Sequence, residues 1–457
     1  MKHVAFLLIS LLGLVQSGKA QNRLDFKSLR YDEEYGKISN DTNSTFLDKI
    51  KYISLSEDDS VMMSLGGEVR SQYQYFKNEN WGDLPNDTDG FLLNRVLLHL
   101  DTKYKKRVRL FAQLQSSTSI SRIDPNPIEK NELDVHQLFI DFNFQVRENE
   151  ITFRLGRQEF LYGSQRLVST REGPNSRQSF DAAKLIWKSK NLKTDIFYSQ
   201  FVKNAFGVFN DRSNHDTKFY GVYNVFNGIP LLQNIDLYYF GLNKKMAVYN
   251  NISGDENRHS IGTRLWGSNN NWSYDFEGVY QLGKIGSQSI KAWTASFHVD
   301  YQLQTLKFKP KLGLKTDFIS GDQSSEDNKL QTFNPLFPRG AYFGLAAPIG
   351  PSNLFDIHPS IELEINDKIN FEVDYNFFWR LSKNDGIYLP NMTLLYPSAN
   401  VSQRYSGSHL GAAIDYDSKK GFLLKLEYVW FNTGSYLKEV STGEDIFFAG
   451  TTLYYRF

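Results

Sequence analysis

The stretch INFEVDYNFFWRL, Ile369 to Leu381, alternates along its whole length. Its odd positions, Ile369, Phe371, Val373, Tyr375, Phe377, Trp379 and Leu381, are apolar or aromatic, and its even positions include Asn370, Glu372, Asp374, Asn376 and Arg380. A period of two puts these sets on opposite faces of a strand. The run is also much longer than the roughly five to six residues of an ordinary soluble strand. Lys307 to Ile319 repeats the pattern, with Phe308, Leu312, Leu314 and Phe318 opposed to Lys309, Lys311, Lys315 and Asp317.

Segments of this kind recur at 60–76, 90–102, 106–117, 132–145, 150–159 and 179–189. They continue at 192–203, 216–227, 233–243, 257–267, 271–282 and 290–303, then at 307–319, 357–366, 369–381, 405–416, 421–432 and 445–457. That makes eighteen strands. Short links, such as Lys103 to Lys105 and Asp367-Lys368, take turns with long ones, such as 77–89, 118–131, 244–256, 320–356 and 382–404. An even strand number with short and long connections in turn is the pattern of an up-and-down transmembrane β-barrel with short periplasmic turns and long extracellular loops. Such a barrel is expected to span residues 60–457, closing on the terminal Phe457, and eighteen strands are wide enough for an aqueous lumen.

Composition agrees. The chain of 457 residues has 26 Tyr, 35 Phe and 32 Gly against 13 Pro, as an all-β chain with many turns would. Mean hydropathy is −0.45. No run of about 18 apolar residues follows the N-terminus, which excludes a helical membrane protein but not a barrel, where only alternate residues meet lipid. The start, MKHVAFLLISLLGLVQSGKAQN, pairs Lys2 with an apolar run from Val4 to Val15 and small residues at Gly18 and Ala20. It reads as a signal peptide over 1–20, followed by a periplasmic segment over 21–59. Cysteine is absent, so disulfides, thiolate metal sites and cysteine nucleophiles are excluded. With 52 basic and 51 acidic side chains, charge gives no reason to expect a nucleic-acid partner.

No P-loop, GxSxG elbow, HExxH helix or dinucleotide fingerprint is present, so no enzyme, catalytic residue or cofactor is expected. A hydrolase built into the membrane would need a nucleophile with a histidine partner at the rim. His298, His358 and His409 fall on polar strand faces and read as lumen-lining residues, not ligands. The acidic loop with Asp83, Asp87 and Asp89 lacks the spacing of a calcium loop, so no metal site is expected. The lumen parity carries both signs: Glu68, Arg70, Arg95, Asp101, Arg107, Arg109, Asp141 and Arg154 early in the chain, and Glu362, Glu364, Glu372, Asp374, Arg380, Lys425 and Glu427 later. Charges of this kind can pair around the wall or select solutes at a constriction. Between Arg154 and Lys184 the balance is basic, and arginine suits bidentate contacts to carboxylates.

Several blocks carry a family likeness: LGGEVR (Leu65 to Arg70), NRVLLHLD (Asn94 to Asp101), RLFAQLQSS (Arg109 to Ser117), DVHQLFIDF (Asp134 to Phe142) and NPLFPRGAYFG (Asn334 to Gly344). The most specific is GRQEFLYGSQRLVSTREGPNSRQSFDAAKL, Gly156 to Leu185. In these blocks the chain resembles the alginate-export family of outer-membrane β-barrel porins. The resemblance implies a monomeric barrel in the outer membrane of a Gram-negative bacterium, surrounded by its lipid and served by a periplasmic export complex. It implies passage of an anionic polysaccharide, or another small anionic solute, through an arginine-lined lumen. Carried over by motif, the pore and selectivity residues are Arg70, Arg95, Arg109, Arg154, Arg157, Glu159, Arg166, Arg171, Asn175, Arg177 and Asp181. A general or sugar-selective uptake porin is the alternative. Strict alternation aims Arg154 and Gln158 at the lumen but Arg157 at lipid, a conflict that a bulge at Gly156 or a place above the bilayer edge would resolve.

Overall fold

A computed structural model describes residues 26–35 and 46–457, except 86, 88, 325 and 347. The expected cleavage after Ala20 lies outside these residues. Eighteen long antiparallel strands close into a barrel. The first six are β1 (Val61–Lys77), β2 (Phe91–Tyr104), β3 (Val108–Ile120), β4 (Asn131–Val146), β5 (Asn149–Gln158) and β6 (Phe180–Lys188). The next six are β7 (Leu192–Lys203), β8 (Arg212–Ile229), β9 (Gln233–Val248), β10 (Ser253–Asn269), β11 (Trp272–Ile285) and β12 (Gln288–Gln302). The last six are β13 (Lys311–Ile319), β14 (Leu354–Asn366), β15 (Ile369–Trp379), β16 (Tyr405–Asp417), β17 (Phe422–Thr433) and β18 (Ile446–Arg456). Each strand pairs with its sequence neighbours, and β18 closes on β1 from Glu68↔Arg456 to Lys77↔Phe447. Closure leaves no unpaired edge in the bilayer, where an unsatisfied backbone group costs several kcal/mol.

Every segment of alternating sequence is a barrel strand. The differences lie at the ends. The strand expected from Lys307 begins at Lys311, because Phe308 and Lys309 have positive φ and Pro310 has no N–H to give a ladder. The connection expected as a long loop at 244–256 is only 249–252, since β9 and β10 continue outward as a paired ribbon with a register shift between Lys244 and Ala247. Outward positions such as Leu98, Leu138, Leu155 and Ile261 are exposed for lipid contact. Trp187 and Trp272 stand near the short-turn ends and Trp293 and Trp430 near the long-loop ends, as two interfacial girdles would require.

The interior is well filled. Phe160, Phe180, Phe197, Phe219 and Phe240 are all buried and pack ring to ring on the inner wall. Loops 159–179, 320–353 and 380–404 supply Leu167, Phe333, Tyr342, Phe343, Ile387 and Tyr396 to the same cluster. The wide aqueous lumen expected of eighteen strands is therefore narrowed from within. Part of segment 21–59 also touches the inner wall. Tyr31 sits edge-on between Phe111 and Phe139, and helix α1 (Phe46–Lys51) brings Lys51 Nζ to the carbonyl of Phe457 at 2.9 Å. The pair Ile53-Ser54 then joins the edge of β1, opposite Met63 and Met62.

Candidate functional site

The site is built where loop 159–179, between β5 and β6, folds into the barrel. Arg70, fully buried on β1, donates to the carbonyls of Glu172 (2.7 Å), Gly173 (3.2 Å) and Pro174 (2.9 Å) and to Asn175 Oδ1 (3.1 Å). Asn175 in turn gives its amide hydrogens to the carbonyls of Asn94, Thr118 and Glu129. A planar guanidinium meeting consecutive carbonyls fixes the loop backbone on the wall. The tip of loop 159–179 then crosses loop 320–353. Val168 bridges Phe337, and a side chain on Gly340 would meet Pro174 Cδ at 2.4 Å, so only glycine lets the two loops touch there.

Most of the nominated charges are spent on partners within the protein. Arg95 bridges Glu68 (2.6 Å) and Glu172. Arg109 holds Asp101 in a two-pronged pair (2.7 and 2.7 Å) and donates to the carbonyl of Tyr31. Arg154 holds Asp141 in the same way (2.7 and 2.8 Å) with its guanidinium 4.2 Å from the Tyr31 ring centre. Glu159 receives His136 Nε2 at 2.8 Å and Arg177, and Arg177 also reaches Glu172 at 3.0 Å. Arg166 lies between Asp275 (3.0 Å) and Glu277 (3.1 Å).

Arg157 has a different place. The β4–β5 register runs through Gly156 without a shift, so no bulge turns Arg157 inward. It faces the same side as its ladder partner, the lipid-exposed Leu138, and pairs with Asp181 at 2.8 Å. Its other near neighbours, the carbonyl of Val135 and Asp134, lie at the loop end of β4, so the pair stands on the outer face at the rim.

One nominated arginine differs from all the others. Among the described residues, the half-buried guanidinium of Arg171 has no side-chain hydrogen bond or ion pair. Burial lowers its pKa, and no carboxylate works against that shift. Arg339, in loop 320–353 beside the crossing, was not singled out by sequence. It is exposed, its guanidinium donates weakly to the carbonyl of Tyr342 at 3.4 Å, and among the described residues no carboxylate lies within ion-pair distance. The protein crowded around it inside the barrel lowers its pKa, with Arg166 adding to the shift and Tyr342, Asp317 and Asp275 opposing it. Two cations on crossing loops, neither held by a carboxylate among the described residues, favour any anion that reaches them.

A further cavity of about 380 Å³ lies nearer the short turns, lined by Tyr162, Lys193, Asp195, Tyr223, Arg264 and Trp266 among others. Its charges are largely matched: Arg264 pairs with Asp275 and Asp236, and Asp236 also accepts from Tyr223 and Trp266. The opposite wall carries Glu362, Glu372 and Asp374 with Lys311 and Lys425. There, His358, Asp374 and His409 have come together, although sequence placed each histidine alone.

Comparison with known proteins fits this geometry. Solved structures with the same architecture include OccD3 (OpdP) of Pseudomonas aeruginosa, with TM-score 0.58 and 12% identity, covering 89% of this chain and 93% of that one. OccAB1 of Acinetobacter baumannii aligns with TM-score 0.58 and 11% identity over 90% of this chain and 99% of that one. OccK2 (OpdF) of Pseudomonas aeruginosa, solved in complex with glucuronate, aligns with TM-score 0.54 and 10% identity over 86% and 97%. No curated protein matches the chain. The family model described as alginate export matches residues 61–445, nearly the whole barrel, so the chain belongs to the alginate export family and is an outer-membrane channel of a Gram-negative bacterium.

Proposed function

We propose that this channel passes carboxylated solutes, an anionic polysaccharide in the first instance, by diffusion past Arg171 and Arg339. The observation that carries the reading is that, among the described residues, these two cations lie on the inward loops without carboxylate partners, while the other nominated arginines are ion-paired or, like Arg70, spent on loop carbonyls. A unit charge about 4 Å from a solute carboxylate is worth roughly 4 kcal/mol at an effective dielectric constant of 20, enough to offset lost hydration in part. No bond is made or broken, and the barrel acts as a monomer, with a periplasmic export complex as the feeding partner.

The alternative, an uptake porin for sugars, draws support from the wall of Glu362, Glu372 and Asp374, which a purely anion-tuned tunnel has no need of. Reversal potentials in planar bilayers test the choice. Anion preference that falls in Arg171→Ala and further in the double variant with Arg339→Ala supports the anion channel. Cation preference, no preference, or a double variant with unchanged selectivity would sink it.

A further inference from the structure

The wall of β14, β15 and β16 holds a constellation away from the anion path proposed past Arg171 and Arg339. Asp374 Oδ1 lies 2.8 Å from His358 Nε2 and 2.9 Å from His409 Nε2, and the three ligand atoms lie within 4.8 Å of one another. Each comes from a different strand, so the barrel wall, not a loop, fixes their spacing. Opposite Asp374 in the ladder stands Gly411, where a Cβ would come within 2.3 Å of Asp374 Oδ2. Any larger residue would push the carboxylate away.

The surroundings are polar and at least half-buried. Asn376, directly opposite His409 in the ladder, is 0% exposed, and both its amide atoms lack a partner. The Nδ1 atoms of both histidines have no partner among the described residues, which leaves either free to carry the ring proton. Buried polar groups in native proteins nearly always have partners, so the orphaned amide of Asn376 opposite His409 marks a place short of a polar ligand. Lys315, the ladder partner of His358, does not fill it: its Nζ lies 4.4 Å from the ring centre of Tyr342 and 3.4 Å from Asp317. Phe378 packs against the His409 ring at 5.5 Å and gives the site an apolar side.

From this geometry we infer that His358, Asp374 and His409 bind one divalent transition-metal ion of the zinc class. Two imidazoles and a carboxylate suit zinc, cobalt, nickel or copper, not calcium or magnesium. Bond lengths of about 2.0–2.2 Å put tetrahedral ligand atoms roughly 3.3 Å apart, so small rotations from the present contacts suffice. Each neutral ring then carries its proton on Nδ1 and offers Nε2 to the ion. Three protein ligands leave one position for water. The inference rests on this geometry alone and stands whichever solute the channel carries.

The test uses the full-length barrel in detergent. Zn²⁺ retained after dialysis is measured by elemental analysis, and Co²⁺ is titrated with its visible d–d absorption as readout. One zinc per chain is expected, with affinity weakened roughly tenfold or more in His409→Gln and in Asp374→Asn. His298→Ala, a histidine elsewhere in the wall, leaves binding unchanged. Heat-dependent gel mobility shows that each variant is a folded barrel. Failure of the wild type to retain zinc, or equal binding by the folded His409→Gln and Asp374→Asn variants, overturns the inference.

Discussion

Arg95 on β2 and Glu172 on the inward loop form an ion pair that ties the barrel wall to the loop narrowing it. Burial pushes the Glu172 carboxyl up, but Arg95 and Arg177 outweigh it and hold its pKa below the ordinary carboxylate range. A carboxyl held down in the folded state contributes its stability above the unfolded pKa of about 4.3, and that contribution is lost as pH falls through the depressed value. After correction for intrinsic rates, hydrogen exchange in loop 159–179 is therefore expected to be flat from neutral pH down to about 5 and to rise only below about 4. Glu172→Gln should show the faster exchange already at neutral pH.

Removing Arg70 tests the same loop from the wall side. Arg70→Met deletes four hydrogen bonds from a charged donor and leaves three carbonyls and Asn175 Oδ1 facing an apolar side chain. At about 1.5–3 kcal/mol for each such bond, and far from additive, a loss near 3 kcal/mol is expected. It should be read as tryptic cleavage within loop 159–179 that the wild type resists.

Arg154 separates wall from pore. Its two-pronged pair with Asp141 is buried, and removing one partner of such a pair costs about 3–5 kcal/mol. Arg154→Ala should lower the unfolding temperature seen by heat-dependent gel mobility and leave the reversal potential as in the wild type. A changed reversal potential with unchanged stability would place Arg154 in the pore instead.

The pair with Asp141 was within reach of sequence, and the reason is the hairpin. A tight turn at 147–148 fixes the register, so Asp141 and Arg154, both on the lumen parity, stand directly opposite. The strands were legible for a related reason: lipid on one side and polar lumen on the other impose a period of two that the chain cannot avoid. Nothing comparable constrains the 21-residue loop 159–179. That Arg70 would meet carbonyls 102 to 104 residues away, or that Arg171 would be left alone, depends on where the loop lands. His409 escaped for the same reason, since loop 380–404 separates β15 from β16 and no tight turn sets their register.

A second pH effect runs the other way. Asp322 in loop 320–353 and Asp385 in loop 380–404 meet in a clasp, where Asp385 Oδ2 accepts from the Asp322 amide at 2.8 Å and from Thr332 Oγ1 at 2.5 Å. Burial, helped by the charge of Asp385, pushes Asp322 up to about 6. A carboxyl raised in the folded state binds protons more tightly there, so the clasp is strongest below the unfolded value of about 3.9 and weakens as pH rises through about 6. Hydrogen exchange at Gln331 and its neighbours should slow as pH falls from 7 to 5, after correction for intrinsic rates. Asp322→Asn should abolish that dependence; a dependence that survives in the variant would refute the assignment.

The N-terminal segment gives the last test, through Tyr31. Its ring is wedged between Phe111 and Phe139, its hydroxyl donates to the Glu159 carbonyl at 3.0 Å, and its own carbonyl accepts from Arg109. Arg30 adds hydrogen bonds to the carbonyls of Gly67 and Phe457. These contacts hold residues 26–35 against the inner wall beside Arg154 and Arg177, where they take up lumen cross-section without being part of the ladder. Truncating a buried aromatic ring to alanine costs about 3–5 kcal/mol of local packing. Tyr31→Ala should therefore release the segment while the eighteen-stranded ladder, which does not include it, stays closed. Single-channel conductance is expected to rise with unchanged heat-dependent mobility of the barrel. Unchanged conductance in a variant shown by proteolysis to have released residues 26–35 would mean that the narrowest section lies at the loop crossing near Gly173 and Gly340.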